Sequence, residues 1–273
     1  MTTISLLVIN PNSTTSMTEA LKPLIDNLGY PNVRLSLGFI ILPPKFSQQL
    51  AYVQTRYTFF TAPSGPKSID DDADAVESAR HCLPHLLLSV DQHDGFLVAC
   101  YSDHPLTWML CKHTRKPVVG IFQASVATSL QMISRHQTFG IVSTGDVWKS
   151  LLTNAVHRFI GSPAENITDV KRTSPFAGVE TTGLNATDLH EAPVAEVHRR
   201  IKEATKRLLD RNHYGEVRAI CLGCAAMVGM EEVVREACIE KLGSDTNGDS
   251  LFRVIDGVKA GVGVLQGLVR GGF

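Results

Sequence analysis

Residues 95–105 read GFLVACYSDHP and residues 217–227 read VRAICLGCAAM. Each opens with a short apolar run that reads as a buried strand. Each run delivers a cysteine near its C-terminal end, Cys100 in the first and Cys224 in the second. Small or polar residues follow, then a helical pattern, then another apolar strand. Continuous apolar strands separated by amphipathic helices predict parallel sheets covered on both faces. Two such halves, each offering a thiol at a strand's carboxyl end, would face one another across a cleft. Ligands of open α/β sheets bind just beyond those ends.

The same alternation runs through the 273 residues. Strands are predicted at Ile4–Ile9, Tyr57–Thr61, Gly95–Ala99, Val118–Phe122, Thr138–Val142, Val217–Leu222 and Phe252–Ile255, with a weaker one near Thr168–Arg172. Helices are predicted at Ser16–Leu28, Asp70–Leu88, Pro105–His113, Val126–Ser134, Val147–Phe159, Pro193–Arg211, Glu231–Lys241 and Val258–Val269. Ser16 with Glu19 three residues on predicts a capping box. Pro84 is expected to break or kink the second helix. One stretch fits badly, the 22 residues LSLGFIILPPKFSQQLAYVQTR (Leu35–Arg56). A helix-to-strand connection usually takes about 2–6 residues. Without this stretch, Val33-Arg34 joins Tyr57 directly and the strand reads NVRYTFFTAP. It is either a lid or surface loop, or an insertion such as a retained intron translated in frame.

Composition narrows the function classes. Hydrophobic residues make up 44% and charged residues 19%, which argues against disorder. The length suits one large domain or two modest ones. The net charge is −1, so no electrostatic footprint for nucleic acid or an anionic membrane is present. Six cysteines without disulfide-dense spacing predict free thiols and a cytoplasmic location. The run Ile4–Ile9 is too short for a signal peptide, and none of the apolar runs approaches a membrane span.

Cys100 and Cys224 carry the most chemistry. A thiolate can take a proton from carbon and a thiol can return one. Two thiols on opposite faces of one carbon make a racemase without a cofactor. Any single cysteine, however, is more often a small buried hydrophobe. Cys221 and Cys224 form a C-x-x-C, but Cys221 falls inside a strand and no second pair supplies zinc ligands. Cys82, Cys111 and Cys238 fall in helical patterns and read as packing residues. Asn10-Pro11-Asn12-Ser13-Thr14 is a turn at the end of the first strand, able to line the cleft or simply to cap a helix. Ser143-Thr144-Gly145 ends another strand and could hold a carbonyl or anion at a helix start. Thr181-Thr182-Gly183 reads as a similar turn. Asp103 and His104 could orient the loop after Cys100, tune its thiol, or form an exposed turn. Asp70-Asp71-Asp72 reads as a charged helix start. The ten histidines show no metal spacing and no Walker or G-x-G-x-x-G loop follows a strand.

The segments LLVINPNST (6–14), VACYSDHPL (98–106), PVVGIFQAS (117–125), FGIVSTG (139–145), TTGL (181–184), LGCAAM (222–227) and VIDGVKAG (254–261) resemble the hydantoin racemase family, within the aspartate/glutamate racemase superfamily. The likeness is closest to its fungal, allantoin-associated branch and covers the chain outside Leu35–Arg56. The resemblance implies an α/β fold of two flavodoxin-like lobes with parallel sheets related by a pseudo-twofold axis, and an active site in the cleft between them. The first lobe would span 1–123, with the suspected insert at 35–56, and be completed by a C-terminal helix at 257–273; the second would span 124–256. It implies cofactor-independent racemisation of 5-substituted hydantoins or allantoin, with Cys100 and Cys224 as the acid–base pair. Asn10, Asn12, Ser102, Thr144, Gly145 and Ala225 would hold the ring, several through backbone amides. No metal is expected, the partner is a small molecule, and a homo-oligomer is implied by resemblance alone. Gln123 stands where the family commonly has Glu, and Ala226 where LGCAGM is usual. Other superfamily reactions (amino-acid racemisation, decarboxylation, isomerisation) and a non-catalytic member inactivated by the insert are the alternatives.

Overall fold

The computed structural model describes residues 2–28, 53–161, 174–211, 216–243 and 252–273. The first half runs β1 (Thr2–Asn10), α1 (Thr15–Asn27), β2 (Val53–Thr61), α2 (Asp72–Leu87), β3 (Gly95–Val98), α3 (Pro105–Cys111), β4 (Val118–Gly120) and α4 (Ile121–Met132). The second runs β5 (Gln137–Ser143), α5 (Val147–Ile160), β6 (Phe176–Thr181), α6 (Asp188–Glu191), α7 (Val194–Leu209), β7 (Glu216–Leu222), α8 (Glu231–Leu242), β8 (Arg253–Asp256) and α9 (Gly257–Gly271). These form two four-stranded parallel sheets, ordered β2-β1-β3-β4 and β6-β5-β7-β8. Both orders are second–first–third–fourth, so β1 corresponds to β5 and β3 to β7. The α/β two-sheet architecture expected from the alternation is the one observed.

The inner strands are apolar because helices cover both faces. All four residues of β3 are buried, and so are six of the seven in β5. Phe96, Phe122 and Phe139 are fully buried, each contributing about 1.5–3 kcal/mol by leaving water. α7 shows the complementary pattern: Val197, Ile201, Ala204 and Leu208 line one buried stripe, while Arg199 pairs with Glu196 and Glu203 on its exposed side. α9 returns to the first sheet and packs against β3, β4, α1 and α4. α4 touches both sheets, packing on β4, β7, β8 and α9.

Several local expectations need correction. β4 ends at Gly120 and α4 begins at Ile121, not Val126. The run VVGIF is apolar throughout, and a helix buried on most sides reads like a buried strand. β6 was not predicted; its sequence FAGVET carries a glycine and a glutamate that mask a strand signal. The weaker candidate at Thr168–Arg172 lies outside the described residues. Thr14, not Ser16, precedes α1 and makes no side-chain capping bond there. Its hydroxyl donates to Lys67 O at 2.7 Å instead, and Glu19 pairs with Lys22. α2 runs through Pro84, one turn before its end, and Asp71 caps its start by accepting from Asp74 N–H. Cys111 is exposed, whereas Cys82 and Cys238 are buried as expected. Among the described residues no helix is long and apolar enough to cross a membrane.

Of the stretch Leu35–Arg56, residues 35–52 lie outside the described residues and Val53–Arg56 belong to β2. Ser5 pairs with Arg56 and Leu6 with Tyr57. Removing residues 35–56 places Arg34 where Arg56 stands and Val33 where Thr55 stands, with Pro31 at the far end of an edge strand that tolerates it. Gly29 and Tyr30 then form a short connection. The deletion variant is expected to fold with a melting temperature no lower than that of the full chain by more than a few degrees. Loss of cooperative unfolding would show that the stretch is integral to the first sheet.

Candidate active site

The turn after β1 is organised by Asn10. Its Nδ2 donates to Asn12 Oδ1 at 3.0 Å, Thr14 O at 3.2 Å and Thr18 Oγ1 at 3.0 Å. Its Oδ1 accepts from Asn12 N–H at 3.2 Å. Asn12 Oδ1 also accepts from Thr14 N–H, while its Nδ2 meets only Met17 Sδ at 3.1 Å. A thioether is a weak acceptor, so Asn12 keeps a donor available.

Cys100 follows β3 by two residues. Its Sγ lies 3.4 Å from Ser102 Oγ. The next residue, Tyr101, is buried and its hydroxyl meets Ser125 Oγ of α4 at 2.7 Å. His104 is buried too and caps α3: its Nδ1 accepts from Leu106 N–H at 3.2 Å. That leaves the ring proton on Nε2, facing Ser78 Oγ at 3.5 Å, and Ser78 donates to Pro11 O at 2.5 Å. Burial pushes the His104 pKa down to about 4, so the ring is neutral and suited to this chain of bonds. Thus His104 and Ser78 tie the Cys100 loop to the Asn10–Asn12 turn.

Cys224 follows β7 by two residues, the same offset. Its Sγ accepts from Ala226 N–H at 3.4 Å in a single 3-10 turn, Ala225–Met227. Ser143 Oγ donates to Gly223 O at 2.8 Å and so fixes the approach to Cys224. Only glycine fits at 223, because a Cβ would fall 2.8 Å from Val142 O and from side chains of Ile141 and Ser143.

The two thiols meet at one cavity of about 250 Å³. Asn10, Pro11 and Asn12 line it with Cys100 and Tyr101 from the first half, and Cys224, Ala225 and Ala226 from the second. Met17, Leu21, Ile69 and Val228 give it an apolar wall, and Ser68 and Ala186 complete its rim. Among the described residues none of the lining side chains is charged. Of the residues singled out in the sequence, the structure brings together Asn10, Asn12, Cys100, Cys224 and Ala225. Ser102 is buried beside Cys100, outside the lining. Thr144 and Gly145 are also outside it: Thr144 O accepts from Gly183 N–H and from Thr182 Oγ1, which braces the turn after β5.

Both thiols are partly buried and held in the neutral form. Burial pushes the Cys100 pKa up to about 12; Ser102 pulls it back and a charge on Cys224 would raise it further. Burial pushes Cys224 up to about 11, with the Ala226 N–H lowering it and Asp70 raising it. Met17, Ile69 and Ser78 escaped sequence reading because nothing in their local pattern marks them; Ser143 is legible as part of a strand-ending turn, but its bond to Gly223 O is not. Among the described residues no group of three or more His, Cys, Asp or Glu is placed to hold a metal.

Comparison with known proteins follows the same outline. A protein of the fission yeast Schizosaccharomyces pombe, without an assigned activity, is 36% identical over 98% of this chain and 92% of its own. A hydantoin racemase of Paenarthrobacter aurescens is 24% identical over 98% of this chain and 92% of its own. The crystal structure of an allantoin racemase from Pseudomonas fluorescens superposes with a TM-score of 0.72 at 22% identity, covering 99% of this chain and 92% of that one. Residues 6–265 match the family described as Asp/Glu/Hydantoin racemase. The chain therefore belongs to the Asp/Glu/Hydantoin racemase family, whose reaction class is isomerisation.

Proposed function

We propose that this protein interconverts the enantiomers of 5-substituted hydantoins or of allantoin, without a cofactor, through Cys100 and Cys224. One observation carries the reading: thiols from equivalent strand ends of two sheets line a single uncharged cavity. In the reaction a thiolate removes the C5 hydrogen and becomes a thiol. The C–H electron pair moves onto the adjacent carbonyl as an enolate. The opposite thiol then gives its proton to the other face of C5 and becomes the thiolate. Atoms and charge balance, and the two cysteines exchange roles at each turnover.

The electrostatics favour the one protonation state this needs. A charge on either thiol raises the pKa of the other, so the doubly ionised pair is disfavoured and the titration belongs to the pair. A thiol of pKa about 11 is ionised in roughly one molecule in ten thousand at neutral pH, a cost of about 5 kcal/mol. Ser102 and the Ala226 N–H offset part of this by donating to the thiolates. Asn12 offers its side-chain amide to a ring carbonyl, and Ala225 contributes to the wall. Asn10 holds the turn that presents Asn12. Thr144 and Gly145 brace the rim of the second half.

The uncharged lining also separates substrate classes. Burying the ammonium and carboxylate of an amino acid there would cost several kcal/mol per ion. A hydantoin ring presents neutral amide and carbonyl groups, which hydrogen-bond donors satisfy. The six free cysteines fit a reducing compartment such as the cytoplasm.

In heavy water, single enantiomers of allantoin and of a simple 5-substituted hydantoin should gain deuterium at C5 as they racemise, while aspartate gains none. Cys100→Ser and Cys224→Ser should each lower this rate by roughly 10²–10⁴-fold; full activity in either variant removes the two-thiol mechanism. The pKa shifts set the sign of the pH dependence. Thiolate becomes more abundant as pH rises toward about 11, so kcat/KM should climb steadily from pH ~6 to ~8. A flat profile over that range would mean that a thiolate is already formed in the free enzyme.

A further inference from the structure

Asp103 lies three residues beyond Cys100 and bridges the two halves of the molecule. Its Oδ1 accepts from Gln123 Nε2 of α4 at 3.1 Å. Its Oδ2 accepts from Arg158 Nη2, near the end of α5, at 3.2 Å. α5 packs on the second sheet, whereas the Cys100 loop leaves the first. One carboxylate therefore reaches both the helix between the sheets and a helix of the opposite half. The orientation of Gln123 is committed to this contact: its Oε1 is buried without a hydrogen-bond partner, as is the nearby Thr107 Oγ1. Gly120 makes room for that inward turn, since a Cβ there would collide with Gln123 Oε1.

We infer that Asp103 is a positioning residue, an inter-lobe latch that uses Gln123 and Arg158 to hold the Cys100 thiol at its working distance from Cys224. The inference rests on the two-thiol reading of the cavity. Only two residues separate Cys100 from Asp103, and Tyr101 between them is locked by Ser125. Movement of the carboxylate is thus passed to the thiol through a short, braced segment. The ion pair itself is exposed, so it is screened by salt and modest in strength. Its effect falls on the geometry of proton transfer and not on substrate affinity.

The test combines turnover with a measurement that needs none. Asp103→Asn and Arg158→Gln should each lower kcat by about fivefold or less, with KM within about twofold of the parent. The double variant should be no worse than either single change, because one interaction is lost in all three. The charge-swapped pair, Asp103→Arg with Arg158→Asp, restores the bridge to α5 but offers Gln123 Nε2 no acceptor, so its kcat should rise above that of both single variants without reaching the parent's. Raising the salt from about 0.05 M to about 1 M should slow the parent by the same factor and leave Asp103→Asn unchanged. Separately, bridging of Cys100 to Cys224 by dibromobimane is followed in the substrate-free proteins, with Cys100→Ser as the blank. Bridging should slow in both single variants and return in the swapped pair. Additive losses, no recovery on swapping, or bridging indifferent to the substitutions would each overturn the latch. If bridging follows the pattern but the parent racemises nothing, the latch stands and the substrate reading falls.

Discussion

The cleft depends on one buried hydrogen bond, between the Tyr101 hydroxyl and Ser125 Oγ at 2.7 Å. Tyr101 belongs to the loop that carries Cys100. Ser125 belongs to α4, the helix packed against both sheets. Ser129, one turn further on, meets Cys221 Sγ at 3.0 Å inside β7, the strand that leads to Cys224. The loops that carry Cys100 and Cys224 are therefore linked through four side chains of a buried network, Tyr101, Ser125, Ser129 and Cys221. Such groups are costly to leave unpaired in a low-dielectric interior, so the arrangement resists sliding of one half over the other. Cys221, whose C-x-x-C spacing with Cys224 is discounted in the sequence because it falls inside a strand, is a buried thiol in this bracing, with its pKa raised by burial.

Parallel sheets then account for the position of the chemistry. Their carboxyl ends collect the loops that follow each strand, and the matching strand orders bring equivalent loops to one place. Asn10–Asn12 begins at the last residue of β1 and Ser143–Gly145 at the last residue of β5. Cys100 follows β3 and Cys224 follows β7. Short polar side chains convert these loops from flexible connections into fixed walls. His104, Ser78 and Pro11 do so in the first half, and Ser143 with Gly223 in the second.

The strands with uninterrupted apolar runs were legible in the sequence, because burial on both faces leaves little freedom in residue choice. FAGVET was not, since β6 lies at a sheet edge where Glu180 can be paired with Lys149, Arg207 and Arg211. The start of α4 was hidden for the opposite reason: Ile121 and Phe122 are as buried in the helix as they would be in a strand. The cysteine pair was visible as a repeated strand ending. Asp103 and His104 were visible as candidates, but their different surroundings were not. One is exposed and bridges the halves; the other is buried and neutral. That distinction comes from α2, α4 and α5, which are distant in sequence.

The likeness of the two halves has a consequence for the energetics of the proposed reaction. In that proposal each face of the ring would meet a thiol at the same offset from an equivalent strand, and the two pKa values differ by only about one unit. A planar carbanion between them sits at the middle of a nearly even free-energy profile, with barriers of similar height on either side. One unit corresponds to about 1.4 kcal/mol, a tenfold bias in which thiol ionises, small beside the cost of ionising either. On that reading, a duplicated fold presents nearly matched chemistry to both hands of a substrate, although it is assembled wholly from residues of fixed chirality.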